Sequence, residues 1–233
     1  MLQKVMQDLK GDAILARDGR IGSVDDVYFD DERWAVRYLV VDTGTWLAGR
    51  KVLISPASLP PQESGGDYLR VDLTREQVEH APDIGEDPPI SRTLEEAHAR
   101  YYGYPQYWAG PYMWGIAALP LGAWRTDGAG QTNESHEMLQ SALQRARESH
   151  LRSSAAIVGY RIRAEDGELG HVADFLVDDR SWAITEMIVD TRNWLPGKKV
   201  IVPTKAIADI DWNKGELRVN LKRDEIKRAP KSH

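Results

Sequence analysis

Residues 18–55 read DGRIGSVDDVYFDDERWAVRYLVVDTGTWLAGRKVLIS, and residues 166–203 read DGELGHVADFLVDDRSWAITEMIVDTRNWLPGKKVIVP. The two stretches align without a gap at an offset of 148. The match runs from Gly11–Pro82 to Gly159–Pro230, with 27 of 72 positions identical. Self-similarity at a fixed spacing marks repeated structural units, so the chain reads as an internal duplication.

Within each copy the pattern is that of short strands. Asp18-Gly19 and Asp166-Gly167 are hairpin signals. Asp30-Asp31 and Asp178-Asp179 begin a second turn, which Trp34 and Trp182 leave by opening the next strand. Trp34 to Asp42 is nearly continuously apolar, as expected of a strand covered on both faces or of a sheet closed on itself. A loop through Thr43–Leu47 leads to a strand Lys51–Ile54, then a strand Tyr68–Leu73. A helical turn over Thr74–His80 follows, with Thr74 and Gln77 spaced as a capping box. Several short strands in about seventy residues predict a small barrel, because closure removes exposed edges. The expected fold is mainly β. Two small β-barrels, residues 1–88 and 157–233, are joined by a partly helical, aromatic-rich connecting segment, 89–156.

That connector opens at Pro88-Pro89. Thr93 and Glu96 predict the start of a helix over Leu94–Tyr102. The stretch YYGYPQYWAGPYMWG (residues 101–115) has no period and reads as irregular but ordered. Arg125–Thr132 reads as a flexible tip. Asn133 is placed to cap a helix to His150 whose Met138, Leu139, Ala142, Leu143 and Ala146 form one apolar stripe. The segment is expected to lie against one or both barrels.

Composition narrows the function. The chain has 233 residues with 42% hydrophobic and 28% charged, an ordinary globular balance. Thirty basic against thirty-six acidic residues give a net charge of −6, which disfavours direct nucleic-acid binding through phosphates. There is no cysteine, hence no disulfide, thiolate nucleophile or Cys-based metal site. The N-terminus MLQKVMQDLKGD lacks the apolar core of a secretory signal. The longest apolar run, Tyr112–Trp124, is broken by Gly115, Pro120 and Gly122 and falls short of the ~20 residues that span a bilayer. A cytoplasmic protein is expected, with the Trp/Tyr-rich stretch packing on a neighbouring domain and peripheral contact with a membrane as the alternative.

The duplicated motif resembles the PRC-barrel domain. In the first copy it comprises Gly22, Asp26, Asp30, Asp31, Trp34, Val41-Asp42-Thr43, Trp46, Leu47, Gly49, Arg50 and Lys51. In the second it comprises Gly170, Asp174, Asp178, Asp179, Trp182, Val189-Asp190-Thr191, Trp194, Leu195, Gly197, Lys198 and Lys199. The resemblance implies a small β-barrel like the cytoplasmic domain of the photosynthetic reaction centre H subunit and the C-terminal domain of a ribosome-maturation factor. In both settings the domain docks onto other proteins and does not catalyse. The chain lacks the membrane helix of the former and the extra N-terminal domain of the latter, and so resembles the stand-alone bacterial members of unassigned function.

The candidate site residues follow from these readings. The paired aspartates read as turn formers and not as a calcium site, which takes ~6–8 oxygen ligands. Asp42 and Asp190 read as loop-fixing carboxylates that accept from Thr43 or Thr191 and pair with the facing Arg50-Lys51 or Lys198-Lys199. A barrel-mouth general base is the alternative. None of the six histidines falls at a repeated position or at metal-ligand spacing, and no hydrolase, zincin, Walker or dinucleotide motif is present. No catalytic residue, cofactor or metal is therefore expected. Trp46, Arg50, Trp194, Lys198, Tyr107 and Trp108 are the candidate partner-binding residues. Rings beside Arg or Lys make interface hot spots, which singles out Trp46 and Trp194, with plugging of the barrel mouths as the alternative. Tyr107 and Trp108 are rings of the connector, for which packing onto the barrels is the preferred alternative. The leading expectation is a non-catalytic scaffold or adaptor for an unidentified protein, with a homodimer as a further form. A peripheral accessory of a photosynthetic or electron-transfer membrane complex comes second, and a small hydrolase or ligand-binding protein using a barrel-mouth carboxylate third.

Overall fold

The structure is a computed structural model, and it describes residues 3–60, 68–85, 90–120, 150–191 and 199–227. In chain order the strands are β1 (Gln3–Val5), β2 (Ala13–Ala16), β3 (Gly19–Asp30), β4 (Ala35–Asp42), β5 (Lys51–Ile54), β6 (Tyr68–Arg70) and β7 (Leu151–Ser153). They continue as β8 (Arg161–Ala164), β9 (Gly167–Asp178), β10 (Ile184–Asp190), β11 (Lys199–Pro203), β12 (Ile207–Asp211) and β13 (Glu216–Val219). The helices are α1 (Arg75–Glu79), α2 (Arg92–Tyr102), α3 (Ser154–Ile157) and α4 (Arg223–Lys227). The protein is mainly β, and none of its described helices is long and apolar enough to cross a membrane.

Two compact units partition the chain. The β3 unit comprises Lys10–Arg152 with Arg180–Trp182, and the β9 unit comprises Met1–Leu9, Ser153–Asp179 and Ala183–His233. The β3 sheet runs β5-β4-β3-β2-β6, with β7 also pairing β3. Along that path the ladders are antiparallel except β2 with β6. The β9 sheet runs β11-β10-β9-β8-β13-β12, with β1 also pairing β9. Its neighbours are antiparallel except β8 with β13.

The long central strands do most of the core building. Along β4 the seven residues Ala35–Val41 are all buried, which matches the near-continuous apolar reading. Val27, Phe29, Val36, Leu39 and Ile54 are wholly closed to water in one unit, and Phe175, Met187 and Val189 in the other. Burying side chains of this size is the main favourable contribution to folding. Gly22 shows why the motif needs glycine: a Cβ there would fall well inside contact distance of the Asp42 backbone carbonyl, and Gly170 stands in the same relation to Asp190. The capping box forms as expected, with Gln77 N donating to Thr74 Oγ1 at 3.2 Å and Thr74 N to Gln77 Oε1 at 2.8 Å.

The structure departs from the sequence expectations in several places. Among the described residues neither sheet closes: β5 and β6 end one path and β11 and β12 the other, without pairing to each other. On β5 the Leu53 carbonyl is met by His98 of α2 at 3.1 Å, so a helix side chain and not a closing strand supplies its partner. Trp34 and Trp182 do not open strands. Each sits in the left-handed region, at φ 52° and 58°, just before its strand begins at Ala35 or Ile184. Helix α2 starts earlier than Thr93 predicts, because Ser91 caps it by accepting from Leu94 N at 3.2 Å. The strand expected over Tyr68–Leu73 ends at Arg70. The tip at Arg125–Thr132 and the amphipathic helix from Asn133 lie outside the described residues.

Candidate functional site

The densest chemistry lies in the β3 unit, where the aromatic connector meets β3, β4 and α2. Asp30 ends β3 and organises the turn beyond it: its Oδ1 accepts from Glu32 N at 2.9 Å and Arg33 N at 3.0 Å. Its Oδ2 accepts from Arg37 Nη2 at 3.0 Å, a pair whose two side chains are 5% and 0% exposed. The neighbouring Asp31 instead receives His150 Nδ1 at 3.1 Å and Arg152 Nε at 2.9 Å. Adjacent carboxylates on a strand end point to opposite sides, and here one holds a turn while the other holds a distant segment.

Rings close over the buried guanidinium. Arg37 lies 4.0 Å from the Tyr107 ring centroid and 4.8 Å from that of Trp114. Arg92 lies 4.3 Å from the Trp108 ring. Stacking of this kind compensates cations for lost water. Glu95 is fully buried, pairs with Arg92 at 3.1 Å and accepts from the Tyr107 hydroxyl. Arg33 binds the connector backbone, donating to the carbonyls of Tyr107 at 2.8 Å, Tyr112 at 2.6 Å and Gly110 at 3.1 Å. Trp114 Nε1 donates to the Ser181 carbonyl at 2.8 Å.

Beneath the rings lies a small cavity of about 20 Å³, lined in part by Tyr38, Ser55, His98, Tyr107, Trp108 and Trp114. That is room for about one water. His98 Nε2 sits 3.1 Å from the Leu53 carbonyl, which can only accept, so this nitrogen carries the proton. His98 Nδ1 is left as a buried acceptor with no partner among the described residues, and Trp108 Nε1 as a buried donor in the same condition. Burial holds the His98 imidazole down to about 4, opposed only in part by its bond to Leu53. Burial, then the nearby Glu95, raises the Tyr38 and Tyr107 phenols well above their usual range, and burial pushes Tyr104 up to about 12. At neutral pH the cavity wall is therefore uncharged: neutral imidazole, intact phenols and indoles.

The site residues expected from the sequence divide three ways. Tyr107 and Trp108 are each 6% exposed, so they pack inside the unit and are not available on its surface. Arg50 does not meet Asp42. It donates to the carbonyls of Glu79 at 2.8 Å and Ala81 at 2.6 Å and lies 3.7 Å from Asp83, tying down the C-terminal end of α1. Asp42 accepts from Gly44 N at 2.8 Å, the Thr43 hydroxyl donates to the Arg50 carbonyl, and Lys51 pairs with Asp25. The loop-fixing role is thus present, with the partners different from those expected. Trp46 is half-buried under the Arg75 guanidinium, 4.4 Å from its ring. Trp194 and Lys198 lie outside the described residues. Sequence reasoning missed Arg33, Arg37, Glu95 and His98. Arg37 carried the one available signal, a charge inside an otherwise apolar strand.

In the β9 unit, burial raises the Asp174 carboxyl, while bonds from Phe175 N at 2.7 Å and Gln7 N at 3.3 Å oppose the shift. No cluster of three or more metal-ligating side chains occurs among the described residues.

A search among curated proteins finds no match to this chain. The family model described as the PRC-barrel domain matches residues 6–78, a span that takes in the β2–β3 hairpin, the Asp30–Trp34 turn, the close approach of Gly22 to Asp42 and all but the end of α1. Residues 6–78 therefore belong to the PRC-barrel domain family.

Proposed function

We propose that the protein is a tandem of two PRC-type modules descended from one ancestral copy, and that it is a non-catalytic cytoplasmic scaffold or adaptor that binds another protein. Several repeated details support the duplication. Strands β3 and β9 each have twelve residues and begin 148 positions apart. Asp18 Oδ1 accepts from Arg75 N at 2.8 Å, and Asp166 Oδ1 from Arg223 N at 2.9 Å. Gly22 and Gly170 face equivalent carbonyls.

One observation carries the adaptor reading. The connector presents Tyr112, Ile116 and Leu119 to water at 56%, 70% and 39% exposure, on a turn whose backbone is held by Arg33 and by the Tyr112–Gly115 and Trp114–Ala117 bridges. Apolar side chains on a braced turn lose little conformational freedom on binding, and their desolvation favours a partner. In this reading Tyr107 and Trp108 are the brace and not the contact.

The test is chemical crosslinking in native lysate with the wild type and Ile116→Asp side by side. A stoichiometric protein captured by the first and lost with the second supports the adaptor. Equal capture by both would remove the turn from the account. The peripheral-membrane reading draws on a different fact: no charged residue occurs from Tyr101 to Trp124. Cosedimentation with vesicles that survives high salt and is lost in Ile116→Asp would favour it.

A further inference from the structure

Residues 3–9 belong to the compact unit that contains β9, although the chain that follows them, from Lys10 to Arg152, belongs to the other unit. Strand β1 pairs antiparallel with β9, from Gln3 opposite Asp178 to Val5 opposite Leu176. Beyond it Met6 and Leu9 are 0% and 1% exposed, and Gln7 Nε2 donates to the Ala173 carbonyl at 3.3 Å. Both ladder and core thus hold this arm. The unit boundary falls after Leu9, and Gly11 follows at φ 90° with open space where a Cβ would stand. Its amide donates to the Val24 carbonyl at 2.8 Å, so the chain is anchored to β3 from Gly11 onward and only Lys10 separates the arm from that anchor.

The same arrangement recurs 148 residues later. Strand β7 leads into the second copy yet pairs with β3, and Asp31 receives His150 and Arg152 from that segment. Gly159, at φ 86°, follows it as Gly11 follows β1, and its amide likewise donates to the long strand of its own copy, at the Val172 carbonyl, 2.8 Å. Each leading segment therefore completes the unit built on the other copy's long strand. For two copies on separate chains this is the topology of a strand-exchanged dimer, whose contacts are the same whichever chain supplies the arm.

We infer that residues 3–9 are an exchangeable arm, able to dock on β9 of a second copy as it docks on its own, and that the protein assembles into arm-exchanged homodimers when its concentration is high during folding. The difference between the two states is the effective concentration of an arm on a short tether, on the order of mM, and not the contacts themselves. The inference concerns self-association and is independent of the adaptor reading, since the Tyr112–Leu119 turn takes no part in it.

The chain has no cysteine, so engineered thiols report without background. Val5→Cys and Leu176→Cys occupy paired positions, whose Cα spacing in an antiparallel ladder suits a disulfide. Differently tagged single variants are unfolded together, refolded over a tenfold range of concentration and oxidised mildly. The expected result is a disulfide-linked heterodimer joining residues 5 and 176, with light scattering showing a dimer fraction that rises roughly tenfold over that range while dimer is the minor species. The Val5→Cys/Leu176→Cys double variant should close the bond within one chain at low concentration. Monomer throughout, or a dimer without the 5–176 bond while the double variant closes its own, overturns the exchange. Failure of the double variant to form the bond in either way would overturn the docking of the arm itself.

Discussion

His98 makes the stability of the β3 unit depend on pH in a calculable way. Its ring is 2% exposed, donates through Nε2 to Leu53 and offers Nδ1 to no partner among the described residues. Protonation would place a charge, and a second N–H without an acceptor, among Tyr38 and Tyr102 at ring distances of 5.1 Å and 4.7 Å. The folded ring is held down to about 4, while the ordinary value of 6.5 applies once the chain unfolds. Between those values the unfolded state binds more protons, so acidification favours unfolding. The contribution of His98 is complete above pH 6.5, falls as pH drops through the window and levels off below 4. From pH 8 to pH 4.5 the loss amounts to about 2.5 kcal/mol. Other groups titrate over part of this range, so the measurement is a difference. His98→Gln keeps an amide N–H for the Leu53 carbonyl but has nothing to titrate. Urea unfolding of both proteins at several pH values, followed by tryptophan fluorescence, gives the stability of the wild type minus that of the variant. That difference should shrink by about 2.5 kcal/mol on going to pH 4.5. A difference constant across the range would refute the argument, whatever the variant's absolute stability.

The remaining predictions concern the repeated backbone features. Gly22→Ala and Gly170→Ala each drive a methyl group into a backbone carbonyl, Asp42 and Asp190 respectively, and should each cost about 3 kcal/mol in chemical denaturation. Asp18→Ala and Asp166→Ala each remove the carboxylate that accepts from the first backbone N–H of α1 or α4, and should lower stability by similar amounts, about 1 kcal/mol. A large inequality between the two would count against equivalence of the modules. Ala48 is exposed and sits at φ 54°, so Ala48→Gly should raise stability by up to about 1 kcal/mol in thermal unfolding.

The features legible in the sequence are local ones. Thr74 with Gln77, Asp18 beside Gly19, and the apolar run into Asp42 each state their structure within a few residues, because caps, two-residue hairpins and strand faces are satisfied by near neighbours. The candidate site is less legible. Tyr107 and Trp108 read as packing or contact residues alike, because a ring-rich stretch has the same composition whether it binds a partner or buries an arginine. Only the positions of Arg37, Arg92 and Glu95 distinguish the two, and those come from β4 and α2 rather than from the ring-rich segment.

By itself the sequence determined the β class, the repeat spacing of 148 and the positions where glycine and aspartate turn the chain. Tertiary structure alone decided that His98 of α2 meets the Leu53 carbonyl of β5, that Asp31 serves a segment 119 residues away, and that residues 3–9 complete the unit built on β9. The physical reason is the range of the interactions. Turns and caps are hydrogen-bonded within about three residues, whereas an unpaired strand edge or an apolar side chain accepts any segment that can cover it. Which segment does so is chosen by the whole fold.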